Sequence, residues 1–167
     1  MNFLKLDTGQ QMVARLIAEQ RYAVNRARGI VDARIGAQSA DLTDLNGIGG
    51  ELAFAVITNV MPDLTISPRR GGADCVTSRG YTVDVKTSVH DDAQLIAHRG
   101  KSAGDAQVYV LVVGEFPMYR IVGWAWASEL LQPQNIADLG YGPTYALQQD
   151  KLHRFKSLWE GKYDPAV

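Results

Sequence analysis

Apolar residues at Met12, Val13, Leu16 and Ile17 repeat with the three-and-four spacing of one helix face, which predicts a helix from about Gly9 to Arg28. Thr8 and Gln11 supply a capping box at its start. Gly29 to Asn46 mixes short apolar runs with Gly36, Ser39, Asp41 and Asn46 and reads as a break and a connection. A second helix is expected from Gly50 to about Val60. Its Leu52, Phe54, Ala55, Val56 and Ile57 leave little polar surface, so it should be buried against a sheet with Glu51, in the first turn, aimed inward. Gly47, Gly49 and Gly50 permit close backbone approach just before it. Leu64 and Ile66 suggest a short strand, and Arg69 to Gly72 a flexible lead into the next hairpin.

Further along, Gln107 to Val113 is nearly all apolar and β-branched, the pattern of a central strand buried on both faces. Phe116 and Pro117 turn the chain into a strand from Tyr119 to Ala127. Trp124 and Trp126 share a face there, and paired tryptophans on a strand are more often core than a base-stacking platform. Gln94 and His98 are expected on one face of a short helical turn, Ser128 to Leu131 in a short helix, Gly140 to Tyr145 in a loop, and Leu152 to Trp159 in a last helix.

Between these elements, Gly71 to Ser88 alternates in a way that predicts a hairpin with one apolar and one polar face. Val83 and Val85 point one way, Asp84 and Lys86 the other. A three-residue loop of Ser78, Arg79 and Gly80, closed by a left-handed glycine, sets Thr77 opposite Tyr81 and Asp74 opposite Asp84. A two-residue turn at Arg79 and Gly80 would send the two carboxylates to opposite faces. The longer loop is the preferred reading. Two carboxylates across a strand pair repel, and a divalent cation is the natural compensation. Hard oxygen ligands suit Mg²⁺, whose bound waters are potential nucleophiles. Lys86, one strand step beyond Asp84, is placed to hold such a water or to offset charge on a phosphate. An Asp-x-Lys triplet alone is commonly a solvated surface pair. The upstream Asp74 at hairpin spacing, and Glu51 on the helix before it, favour catalysis.

Asp74, the hairpin, and then Asp84, Val85 and Lys86 resemble the PD-(D/E)XK nuclease superfamily, which includes restriction endonuclease-like and Holliday junction resolvase-like enzymes. The resemblance covers roughly Gly47 to Trp126, with Ala73 where the literal motif has proline. It implies an α/β restriction endonuclease-like core, with a central mixed sheet flanked by helices. It also implies a Mg²⁺-dependent DNA endonuclease, with Mn²⁺ as a substitute, that hydrolyses phosphodiester bonds in DNA, or by the same chemistry RNA. The implied metal ligands are Asp74, Asp84, the Val85 carbonyl and Glu51, with Lys86 acting on the attacking water. Pro62-Asp63 is a rival acidic motif, but Asp after Pro at the end of a helix is ordinary turn chemistry. Arg69, Arg70, Thr87, Ser88, Gln94 and His98 are secondary candidates for binding the substrate.

At 167 residues the chain suits one domain, with a helical extension at about 1–46 preceding the nuclease-like part. The net charge of −1 gives no global attraction to nucleic acid, so basic residues would have to gather on one face. Candidate clusters are Arg15, Arg21, Arg26, Arg28 and Arg34, then Arg69 with Arg70, then His98, Arg99 and Lys101. Cys75, the one cysteine, excludes an intramolecular disulfide and a cysteine-rich zinc site. With no membrane-length apolar run, a cytoplasmic protein is expected. A homodimer would supply paired cuts. The competing readings are a nuclease-fold module that binds nucleic acid or protein without turnover, and an interaction protein whose charged face is a partner surface.

Overall fold

In the computed structural model, which describes residues 3–29, 40–66, 72–140 and 142–155, the apolar run after Gln107 becomes the middle strand of the molecule. The elements in order are β1 (Leu4–Lys5), α1 (Thr8–Ala27), α2 (Ala40–Thr58), β2 (Cys75–Val76), β3 (Thr82–Ser88), β4 (Leu95–His98), β5 (Val108–Glu115), β6 (Met118–Trp126), α3 (Ala127–Leu130), β7 (Ile136–Asp138) and β8 (Pro143–Leu147). The main sheet has the order β1-β6-β5-β3-β2, and a smaller one the order β4-β8-β7. The protein is thus a mixed α/β fold: β3 and β5 run parallel, and their neighbours are antiparallel.

Alternation along β5 divides the interior in two. Val108, Val110 and Val112 face α1 and α2 in one core, with Ile17, Leu52, Phe54, Val83 and Val85. Tyr109, Leu111 and Val113 face the small sheet and α3 in the other, with Leu95, Ala97 and Leu130. Each side chain that leaves water completely contributes about 1.5–3 kcal/mol, so a strand buried on both faces anchors both layers. A register shift between Leu111 and Val112 lets Ile121 and Tyr119 stay on the same side as Trp124. Trp124 and Trp126 pack edge to face with ring centroids 5.1 Å apart and belong to the helix-side core, so neither is a surface for bases.

Several expected boundaries move. The cap of α1 is Asp7, whose carboxylate accepts the Gln10 N–H while the Gln10 side chain accepts the Asp7 N–H, each at 2.8 Å. The N-terminal stretch expected as an extension supplies β1 to the main sheet and Leu6, Ala14, Ile17 and Ala18 to the core. Leu64 to Ile66 forms no strand; the local pairing is a single bridge from Pro62 to Cys75. Gln94 precedes a strand rather than lying in a helical turn, because Leu95 and Ala97 are buried at strand spacing. The expected loop at 140–145 runs into β8, where Pro143 occupies the first position and its missing N–H is tolerated. Of the expected last helix, residues 156–159 lie outside the described residues, and Leu152 and His153 lie against β6, where His153 bridges to Trp124.

The largest change is in α2, which starts ten residues before the expected Gly50 and carries Gly47, Gly49 and Gly50 inside it. A Cβ on Gly49 would fall on the Tyr119 hydroxyl, and one on Gly50 on Thr87 Oγ1, both far inside contact distance. These glycines let the helix backbone lie directly on β6 and β3, which outweighs their poor helix propensity of about 1 kcal/mol each. Gly50→Ala should therefore lower stability by about 1–3 kcal/mol, the range for overpacking. Thr87→Ala in the same chain should recover part of that loss, read as denaturant midpoints in a double-mutant cycle; equal losses with and without Thr87 would contradict the close approach.

Candidate active site

The loop that forms the hairpin is the three-residue one: Thr77 N–H donates to the Tyr81 carbonyl at 2.9 Å, Gly80 has φ 87°, and Cys75 pairs with Val83. Asp74 and Asp84 are therefore the next residues along the two strands. β2 stops there, which leaves the backbone of β3 open on that side. Asp74 closes it. Its N–H donates to the Val83 carbonyl at 2.7 Å, and its Oδ2 accepts the Val85 N–H at 2.6 Å. The N–H and C=O of one strand residue point to the same side, so the Val85 carbonyl is turned toward the same edge.

Asp84 stands on the face of β3 opposite Val83 and Val85, with a side chain only 3% exposed. Lys86 Nζ lies 2.5 Å from its Oδ1, and Lys101 Nζ lies 2.9 Å from its Oδ2. Glu51 reaches the hairpin from the helix side. It sits inside α2 rather than in the first turn, so the charge at a helix N-terminus does not account for it. Arg21, from α1, contacts Glu51 Oε2 at 3.2 Å and donates to the carbonyls of Asp63 at 2.6 Å and Thr65 at 3.3 Å. Asp63 N–H in turn donates to the Asp74 carbonyl at 2.7 Å. One arginine thus ties α1, α2 and the lead into the hairpin together.

The charges are uneven. Burial pushes the Glu51 carboxyl up from 4.5 to about 8, with the Asp74 charge adding to the shift and Arg21 opposing it. Burial and the Asp84 charge push Asp74 up from 3.8 to about 6, against the Val85 N–H and Lys86, which favour its ionised form. The repulsion expected from converging carboxylates thus falls on Glu51 and Asp74, whereas two lysines compensate Asp84. Cys75 is pushed up to about 12, chiefly by burial, so it remains a thiol packed in the core.

The other sequence candidates fall elsewhere. Arg69 and Arg70 lie outside the described residues. Thr87 points toward α2 beneath Gly50, away from Asp84 and Lys86. Ser88 Oγ accepts the His90 N–H at 3.2 Å, which closes the strand end. Gln94 is half-buried ahead of β4, and His98, exposed at the end of β4, accepts the Gly100 N–H on Nδ1 at 3.0 Å. Asp63 Oδ1 accepts the Thr65 N–H at 2.9 Å, the turn chemistry expected of the rival motif. The arginines of α1 are divided: Arg15 stacks over Phe116 and Arg26 over Tyr22, whereas Arg21 enters the site. Lys101 and Arg21 were not among the expected site residues. Each was visible only as a member of a basic cluster, since nothing in the spacing ties it to the motif.

The donors at this edge, carboxylates and a backbone carbonyl, are the hard oxygens that Mg²⁺ takes. Burial and mutual repulsion raise the pKa of two of the carboxyls, Glu51 and Asp74, and a cation would oppose that shift. In chemistry, the residues fit a divalent ion. As they stand, no three His, Cys, Asp or Glu side chains among the described residues come together closely enough to hold one. Loading would require side chains to rearrange.

A carboxyl whose pKa is higher in the folded than in the unfolded chain stabilises the fold at low pH and loses that contribution as pH rises through the folded value. Stability should therefore fall as pH rises from about 5 to about 8.5, by at most about 1.4 kcal/mol per pH unit for each proton. Glu51→Gln should flatten the limb above about pH 6, leaving the part due to Asp74. Urea midpoints across this range are the measurement, and an unchanged slope in Glu51→Gln would mean that Glu51 ionises normally.

Among the described residues, no helix is long and apolar enough to cross a membrane. No curated protein matches the chain. The model of a family of unknown function, DUF5843, matches residues 3–133, a span from β1 through α3 that includes Glu51, Asp74, Asp84, Lys86 and Lys101. With most of its length matched, the chain belongs to the DUF5843 family, whose function is unknown.

Proposed function

We propose that this protein is a divalent-cation-dependent nuclease with a restriction endonuclease-like core of the PD-(D/E)XK type, acting on DNA in the cytoplasm. The observation that carries this reading is the edge of β3. Asp74 bonds to the Val85 amide at 2.6 Å, and Asp84, on the adjacent residue, is paired with Lys86 at 2.5 Å. Backbone pairing accounts for Asp74, which accepts the Val85 N–H, but not for the buried Asp84 on the adjacent strand or for a largely buried glutamate approaching from the helix behind. Asp74, Asp84, the Val85 carbonyl and Glu51 would hold Mg²⁺ or Mn²⁺. When bound, such an ion polarises a phosphate oxygen and lowers the pKa of water.

The chain's own groups then do the rest. Lys86 holds the attacking water against the phosphorus and offsets the charge that develops on the phosphoryl oxygens. The new bond forms between the water oxygen and phosphorus while the bond to the 3′-oxygen breaks. The proton lost by the water passes to solvent, and the departing oxygen takes one from solvent. Arg21 orients Glu51 through its contact at 3.2 Å. A homodimer would cut both strands of a duplex.

A second reading has its own support. Both oxygens of Asp84 are taken by lysines, and no three-carboxylate cluster is assembled among the described residues, as in a nuclease-fold module that binds without turnover. Calorimetric titration with Mg²⁺ or Mn²⁺ separates the two, since the nuclease must bind the ion.

Under the nuclease reading Lys86→Ala and Asp74→Ala each reduce cleavage of supercoiled plasmid in Mn²⁺ by about 10²-fold or more, whereas Asp63→Ala stays near wild type. Equal losses for Asp74→Ala and Asp63→Ala would place the acidic motif on neither. Near-normal cleavage by Lys86→Ala would remove the lysine from the chemistry.

A further inference from the structure

Asp84 has two cationic partners held in different ways. Lys86 belongs to β3, where pairing with Leu111 of β5 fixes its backbone. Lys101 arrives from the turn after β4: its N–H donates to the His98 carbonyl at 2.9 Å, and the flanking Gly100 and Ser102 are exposed. Both ammonium groups reach a carboxylate that is almost wholly out of water, Lys86 on one oxygen and Lys101 on the other. When all are ionised, the charges of Glu51, Asp74 and Asp84 are balanced by those of Arg21, which pairs with Glu51, and of Lys86 and Lys101, which pair with Asp84. That set is neutral.

A divalent ion added to this set, neutral with every member ionised and positive while Glu51 keeps its proton, leaves at least two positive charges in excess, which the low local dielectric penalises. The excess is removed if negative phosphate arrives with the ion, and the lysine on the oxygen that the ion needs can then turn to that phosphate. Lys101 suits this better than Lys86, because its backbone belongs to a turn rather than to the ladder.

Resting on the nuclease reading above, we propose that Lys101 is an exchangeable counter-charge. It neutralises Asp84 Oδ2 while the site holds no cation, and it moves to a substrate phosphate when a cation takes that oxygen. The consequence is coupling. Cation and nucleic acid each bind weakly alone and strengthen one another, by the same factor in both directions.

The test measures binding, not turnover. Ca²⁺, a hard cation, is titrated calorimetrically into wild type and Lys101→Met, with and without a duplex DNA oligonucleotide. In the wild type, DNA should tighten Ca²⁺ binding by about tenfold or more. In Lys101→Met, Ca²⁺ alone should bind about tenfold tighter than in the wild type, and the further gain from DNA should shrink. Lys101→Gln, which keeps a donor without the charge, should behave like Lys101→Met and replaces it should that variant fail to fold in circular dichroism. If both proteins bind Ca²⁺ with equal affinity and equal response to DNA, Lys101 is only a structural partner of Asp84; the proposal falls and the nuclease reading stands. If neither binds the ion, with or without DNA, both fall together.

Discussion

The hydrogen bond from the Val85 amide to the Asp74 carboxylate holds the candidate site together. It forms because β2 is cut short. A backbone N–H left open beside a buried core needs a partner, and here a side chain replaces the missing strand. That substitution is available only in one register. With Gly80 left-handed and the loop three residues long, Asp74 stands beside the opened backbone; a slip of one residue would turn its side chain to the other face. The same bond fixes the Asp74 carboxylate against the strand that carries Asp84 and Lys86.

How near Glu51 comes to that edge is decided by glycine. Gly49 and Gly50 let α2 settle onto Tyr119 and Thr87, and the next residue is Glu51. A helix held off by Cβ atoms would leave Glu51 in better contact with water, and the raised value of about 8 would lose its largest cause. Packing and electrostatics are therefore one problem here. The close approach that fills the helix-side core also removes solvent from a carboxyl. Arg21 only partly offsets that, because its guanidinium also serves the carbonyls of Asp63 and Thr65.

Legibility in the sequence depends on the range of the interactions involved. The hairpin register was readable because a glycine at the turn and strict alternation of Val83, Asp84, Val85 and Lys86 are local signals. The central strand was readable because burial on both faces leaves an unbroken apolar run. The start of α2 was not: mid-helix glycines read as a break unless Tyr119 and Thr87, distant in the chain, are known to lie beneath them. Lys101 and Arg21 were hidden for the same reason. Each joins the site through the tertiary path of a turn or a neighbouring helix, and a charge in a mixed cluster carries no mark of where its side chain ends. Thr87 shows the opposite error, since its place beside Lys86 in sequence suggested a shared site, but strand alternation turns it to the helix side.

Stability alone does not explain this arrangement of charge. Buried ion pairs are commonly no more stabilising than apolar residues of similar volume, because desolvation offsets their attraction. Here the balance is worse than usual, since Glu51 and Asp74 are held partly protonated near neutral pH and contribute repulsion whenever they ionise. An apolar residue in place of Glu51 would leave Arg21 only the carbonyls of Asp63 and Thr65 to serve, and one in place of Asp84 would free two lysines. The fold nevertheless gathers buried carboxyls with raised pKa values at a strand edge that a side chain, Asp74, has to close. Buried carboxyls whose pKa values are shifted upward together at one strand edge are the physical argument for a site rather than a surface.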